Sequence, residues 1–442
     1  MSESRLERET MRAVYWHFTP LFFVIMLLNY LDRFNIGYAA LRMNHDLALS
    51  PRAFGFGASI FFVGYMIFEI PSNLILHKIG GRVWISRILI TWGAIAAGMA
   101  FIGGAKGFFI LRFLLGVAEA GLLPGLVLFT TAWFPAQYRA MAVGGYVVAG
   151  QLASVVAGPL STTLMTYCNG LLSLHGWQWM FIVEGVPTIF VGVIALYVLT
   201  ERPAYANWLR DDQKSWLMER LRRDREQIQT QGSTSVAAVL RDGRVWGLTL
   251  LFGCALVGID GLHFWQPQII KSFGKLSDMQ VGLLSAIPAL LSAFGTCVVS
   301  FTSDRTGDRK LHLGTLYTIG AIGFAASALV SQPVFGYLLL CLAGIGVNSG
   351  NSLFWSINSS LATGVAAAFS IALVNTLAQF GGIVGPWMIG IIKSNGGDFS
   401  ATLLALSAFT LLAAGLAFSL RVGPSASRSS VAASGTKARK PL

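Results

Sequence analysis

Charge is scarce in this sequence. Asp, Glu, Lys and Arg make up 12% of its 442 residues, about half the share of a soluble domain, which excludes an ordinary soluble enzyme. Cysteine is scarcer still: Cys168, Cys254, Cys297 and Cys341 stand far apart without CxxC or metal spacing, so neither a disulfide framework nor a metal site is expected. The 14 prolines, and 49 glycines that follow no Gly-X-Y period, exclude collagen and low-complexity chains. No P-loop and no HExxH occurs, so nucleotide-driven pumping and zinc hydrolysis are not implied. Gly344, Gly346 and Gly350 lie inside an apolar run, not between a strand and a helix, and no Ser/His/Asp set is grouped by motif. The chain is read as no enzyme, without cofactor or metal.

What fills the sequence is apolar residues, 54% of the total, in runs about 20 residues long that suit helices crossing a bilayer. Twelve spans are predicted, near 16–38, 53–76, 84–103, 107–131, 141–165, 177–199, 245–270, 280–302, 312–331, 334–356, 366–392 and 400–420. An even count puts both termini on one side. The termini and the segments on their side carry 24 Lys and Arg, against six in the opposite set, so the first set is expected in the cytoplasm. The net charge of +12 is thus mostly topological, and no nucleic-acid partner is expected. Glu3, Glu7 and Glu9 alternate with arginines ahead of the first span, unlike a cleaved signal peptide.

The hydrophilic stretch 201–244 divides the spans six and six. Within it, Trp216, Leu217 and Leu221 recur at helical spacing among charges, which predicts an amphipathic linker helix over Asp211–Gln229 in preference to a disordered linker. The expected organisation is a six-helix half at 1–200, the linker at 201–244, a second half at 245–422, and a disordered cytoplasmic tail at 423–442. A repeat supports the two halves. LHKIGGR (76–82) and SDRTGDR (303–309) align Gly80 on Gly307 and Arg82 on Arg309, as tight turns where Arg meets helix ends or an acidic partner.

SDRTGDR is similar to the loop signature of the major facilitator superfamily, twelve-helix secondary transporters built from two six-helix halves. NYLDRFNIGYA (29–39), IPSNLIL (70–76), LRFLLGVAEAGLLPG (111–125), WFPAQYRA (133–140) and WQWMFIVEGVP (177–187) resemble its anion:cation symporter family, and FWQPQIIKSF (264–273) is similar to bacterial tartrate, phthalate and hydroxyphenylacetate permeases. The first-half loop departs from the signature with His77-Lys78 where Asp-Arg is usual. The resemblance implies an all-α inner-membrane protein that imports an organic anion with protons.

Charges inside spans need compensation, because each costs roughly 2.5 to 3.5 kcal/mol at the centre of an isolated helix. Asp32 and Arg33 are about 100° apart on the first span and address different partners. Arg112 and Glu119, seven apart, share a face of the fourth and frame a space about 10 Å long. Arg33 offers a planar fork that stays protonated, suited to a carboxylate in a low-dielectric cavity. Asp32 and Glu119 are acids whose protonation can answer external pH, and Arg112 is expected to pair with ionised Asp32. The resemblance gives these positions the same roles: substrate arginine, two proton-responsive acids, structural arginine.

The rest of the cavity is read less directly. Ser352 and Trp355 at i, i+3 on the tenth span and Asn375 on the eleventh form a polar and aromatic set suited to a hydroxylated acid. The resemblance adds Tyr30, Tyr65 and Gln151 to the substrate site. Asp260 and His263, three apart on the seventh span, are a possible modulatory pair, while Glu184 reads as a helix-packing hydrogen bond. Pro71, Pro124, Pro159, Pro187, Pro288 and Pro386 are expected to bend spans. The expected partners are a small carboxylate, protons and lipid, with the chain a monomer and the proton gradient its driving force. The alternative is a proton-coupled drug or metabolite antiporter, against which Arg33 argues.

Overall fold

A computed structural model describes residues 3–230, 236–360 and 364–420. The expected tail at 423–442 lies outside the described residues. Twelve helices among them are long and apolar enough to cross a membrane. In chain order these are α1 (Arg5–Asp46), α2 (Pro51–Ile79), α3 (Gly81–Phe101), α4 (Ala105–Trp133), α5 (Ala136–Tyr167), α6 (Gly176–Val198), α7 (Gly243–Ser272), α8 (Asp278–Thr306), α9 (Arg309–Leu329), α10 (Pro333–Asn358), α11 (Phe369–Ser394) and α12 (Phe399–Ser419). Several outrun the predicted spans, α1 most of all. Apolar content marks the stretch that lipid covers, and a helix continues past it wherever its polar turns find partners.

Small residues bring the helices together. A methyl group on Gly93 of α3 would sit 2.8 Å from the Gly185 carbonyl oxygen of α6, so the backbones approach as closely as atoms allow, the packing favoured where lipid offers no hydrophobic drive. The two turns of the sequence repeat are also alike in space. Gly80 after α2 and Gly307 after α8 have φ of 100° and 71°, and each donates its N–H to a carbonyl four residues back at 2.9 Å. Their ψ angles differ, 156° at Gly80 and 4° at Gly307, but both have the positive φ that glycine adopts without a Cβ penalty. At the first turn the Arg82 side chain meets a helix end, its Nε donating to the Leu196 carbonyl at 2.5 Å, while Glu201 accepts from the Gly81 and Arg82 backbone N–H groups at 3.1 and 2.8 Å.

The halves meet at the ends opposite the termini. Gly55 of α2 lies against Pro386 and Gly390 of α11, and Gly158 of α5 against Gly282 of α8. Beside these contacts Asp278 of α8 accepts from Arg42 Nε of α1 at 2.7 Å and from Lys271 Nζ of α7 at 2.5 Å, while Arg42 also reaches the Met165 carbonyl of α5 at 2.8 Å. Asp278 and Arg42 together thereby tie four helices at that end.

The linker helix, Asp211–Thr230, forms as the spacing predicts. Its Leu217 and Leu221 are buried, and Glu219 pairs with Arg222 and Arg223 on the outer face. Those two guanidiniums hold the Glu219 carboxyl down to about 2. The helix docks on the first half: Asp224 Oδ2 accepts from Ala136 N, the first residue of α5, at 2.7 Å. Asp224→Ala removes this cap and is expected to cost about 1 kcal/mol, read as a lower unfolding midpoint of the purified protein.

Candidate functional site

Between the halves, on the terminus-bearing side of that seal, lies a cavity of about 260 Å³. Local breaks in the helices shape it. The first part of α4 ends at Glu119, and Ala120 and Gly121, the latter at φ 88°, turn the chain before the helix resumes at Leu122. Ser72 of α2 donates to the Ala120 carbonyl at 2.6 Å and accepts from Trp84 Nε1 at 2.9 Å, which satisfies backbone that the break exposes within the membrane. Glu119 thus sits on the last turn before a kink. On α5, Gly150 leaves room for the Tyr30 ring, 2.8 Å from where a Cβ would stand, and Gln151 follows on the wall.

Nine of the predicted residues line this cavity: Tyr30 and Arg33 of α1, Tyr65 of α2, Glu119 of α4, Gln151 of α5, Asp260 and His263 of α7, Trp355 of α10 and Asn375 of α11. At its centre Arg33 Nη2 donates to Glu119 Oε1. The Glu119 side chain is 2% exposed and that of Arg33 20%, so the arginine is the member open to the cavity. Its guanidinium lies 5.4 and 5.7 Å from the ring centroids of Phe61 and Tyr65, faces that hold a cation in place. Arg33 Nε and Glu119 Oε2 are buried without a hydrogen-bond partner among the described residues.

Asp32 and Arg112 stand behind the wall, not on it. Asp32 accepts from Trp92 Nε1 of α3 at 2.8 Å and from Asn35 Nδ2 at 3.2 Å. Arg112 donates to the Gly57 and Ala58 carbonyls of α2 at 3.3 and 3.4 Å and lies over the Phe61 ring at 4.8 Å. The expected ion pair between them is therefore not made in this conformation. The indole supplies Asp32 with a donor without a second buried charge, and the carbonyls of α2 occupy the fork of Arg112.

Ser352 is also placed differently. It lies outside the cavity lining, with its hydroxyl donating to the Ser349 carbonyl at 3.3 Å, whereas Asn348 and Asn351 of the same helix do line it. The rotation of α10 selects those two amides and Trp355. Asp260 and His263 both face the cavity, but His263 turns to Asn348 and to the Phe34 ring, 4.9 Å between centroids, and makes no bond to Asp260 among the described residues.

Two further acids form part of the interior. Glu69 of α2, 3% exposed, accepts from Asn375 Nδ2 at 2.8 Å and Thr376 Oγ1 at 2.7 Å, joining the halves beside the cavity and fixing the amide of Asn375. Sequence reasoning passed over Glu69, although an acid within the run IFEIP carries the same signal as Glu119. Glu184 accepts from Ser161 of α5 at 3.1 Å, the packing bond read for it from sequence.

Comparison with known proteins agrees with this architecture. A family model described as Major Facilitator Superfamily matches residues 22–386 and 267–441. A protein of Agrobacterium vitis, provisionally named a tartrate transporter, is 41% identical over 409 residues, covering 92% of this chain and 90% of its own. A quinolone resistance transporter of Acinetobacter baumannii is 38% identical over 401 residues, covering 91% and 92%. Among solved structures, a D-xylose-proton symporter superposes with a TM-score of 0.74 at 16% identity, over 92% of this chain and 98% of that one. That likeness is one of fold.

Proposed function

This chain belongs to the major facilitator superfamily, and we propose that it imports an organic anion together with at least one proton. It is a multi-pass transporter of the bacterial inner membrane, not an enzyme. In the proposed cycle the halves 1–200 and 245–422 are the moving bodies, joined by the linker 201–244, and the termini and linker face the cytoplasm. The chain works as a monomer, driven by the proton gradient.

The observation that carries the reading is the Arg33–Glu119 pair at the cavity wall. An incoming carboxylate and the Glu119 carboxylate compete for one guanidinium. Protonating Glu119 releases Arg33, and the substrate anion takes its place, so anion and proton load together. Asp32, held by Trp92 and Asn35, is a second proton site, and Arg112 stabilises its ionised form when the helices shift. Tyr30, Tyr65, Gln151, Trp355 and Asn375 position the remainder of the substrate, with Ser352 reaching it only if α10 rotates. The name of the Agrobacterium relative favours tartrate, with sugar acids and aromatic carboxylates close in chemistry.

A second reading, proton-coupled drug or metabolite antiport, draws support from the name of the Acinetobacter relative. One assay separates the two. Protein reconstituted in liposomes with an inward proton gradient is offered labelled tartrate, a sugar acid, phthalate and hydroxyphenylacetate. Uptake above equilibrium that a protonophore collapses is the expected result. Exchange of a quinolone against protons, with none of the acids moved, would replace import by antiport.

A further inference from the structure

We propose that the substrate is a carboxylate that also bears a positively charged nitrogen, the carboxylate going to Arg33 and the charged nitrogen to Asp260. This rests on the organic-acid reading but departs from the tartrate that the Agrobacterium relative's name favours, because it sets dicarboxylates aside. It starts from the charges on the cavity wall. The first half supplies Arg33 and Glu119, which neutralise one another. The second half supplies Asp260 on α7, 8% exposed and on the wall. Arg33 is the cation acting on Asp260, from beyond ion-pair distance, and no other Arg or Lys lines the cavity among the described residues.

Loading changes this balance on one side only. When Glu119 is protonated and a carboxylate replaces it on Arg33, that half of the cavity is neutral again. Asp260 is left without a counter-charge in a pocket from which the ligand has displaced water, so it either takes up a proton or needs a cation beside it, because an unpaired buried charge is strongly unfavourable. An ammonium or protonated ring nitrogen on the ligand cancels it through a charge-assisted hydrogen bond. Tyr30 and Trp355 on the same wall offer aromatic faces compatible with a cation. A dicarboxylate does the reverse, presenting its second anion where Asp260 stands and no second guanidinium waits. The narrowed class is therefore amino and N-heterocyclic carboxylates.

The test uses pairs of acids matched in shape and different in charge: piperidine-4-carboxylate with cyclohexanecarboxylate, and 4-(aminomethyl)benzoate with 4-methylbenzoate. Binding to the full chain in detergent at neutral pH is measured for wild type, Arg33→Ala and Asp260→Asn. The expected result is that the member with the charged nitrogen binds at least about tenfold tighter in wild type. In Asp260→Asn that ratio falls to about twofold or less, while affinity for the uncharged partner is kept. Equal binding of both members by wild type overturns the inference without recourse to any variant, as does a preference that survives Asp260→Asn. In either case Arg33-dependent binding of the plain acids leaves the import reading standing. Failure of all four acids to bind removes both.

Discussion

Arg33→Ala is expected to lower carboxylate affinity and uptake at least about 100-fold, the largest loss of any single change in the cavity. Removing one partner from a buried, hydrogen-bonded ion pair costs about 3 to 5 kcal/mol, and every 1.4 kcal/mol is about tenfold in binding. Arg33 is the cation on the cavity wall among the described residues, so the substrate anion has no substitute for it. Arg33→Lys is expected to recover little, because a point charge on a flexible stem does not present a planar fork to a carboxylate. The change also strands Glu119, whose side chain is 2% exposed, and some lost stability is expected. The double variant Arg33→Ala/Glu119→Gln removes that stranded charge and separates the two effects. If it unfolds like wild type and still binds no acid, the loss belongs to the ligand. Thermal unfolding reads both at once, since a ligand at 100 times its dissociation constant adds about 2.7 kcal/mol to the folded state. Unchanged binding by Arg33→Ala would move the anion site elsewhere.

The helices and the charges were legible in the sequence for the same reason: both are anomalies against a simple background. Twelve apolar runs stand out in a chain that must cross lipid, and an Arg or Glu within one stands out in turn. Arg33, Glu119, Tyr65 and Gln151 come from four helices, and their meeting at one cavity followed from resemblance more than from spacing. Spacing fixes which residues share a helix face, and says nothing of which helix that face meets. Asp32 illustrates the limit. Its partner Trp92 lies 60 residues away on α3, and nothing local distinguishes that indole from other apolar residues, so Arg112 was the natural choice on charge alone. Ser352 shows a finer limit. Positions 348, 351, 352 and 355 all occur within two turns of α10, and the rotation that selects Asn348, Asn351 and Trp355 is set by packing against neighbouring helices. Glu69 is a different case, since the signal was present in the sequence and was passed over.

Glu119→Gln is expected to abolish accumulation of substrate against its gradient while leaving exchange intact. The geometry makes Glu119 a competitor for the guanidinium that the substrate needs. In wild type a proton on Glu119 frees Arg33 for the substrate anion, so proton and substrate binding are linked through this pair. Gln has nearly the same shape and can still hydrogen-bond to Arg33, but it neither ionises nor carries a proton. Substrate affinity in the variant should therefore be uncoupled from proton binding at this site and depend less on pH than that of wild type. Each coupled proton contributes about 1.4 kcal/mol per pH unit of gradient, about tenfold in accumulation, and a variant that carries no proton at Glu119 forfeits that share. Counterflow requires only that the loaded protein reorient, which the neutral side chain permits. Liposomes preloaded with unlabelled substrate measure exchange, and an imposed pH step in the same preparation measures accumulation. Loss of both would make Glu119 a structural partner of Arg33. Retention of both would place proton coupling on another acid, with Asp32 first in line because its carboxylate is buried and held only by neutral donors.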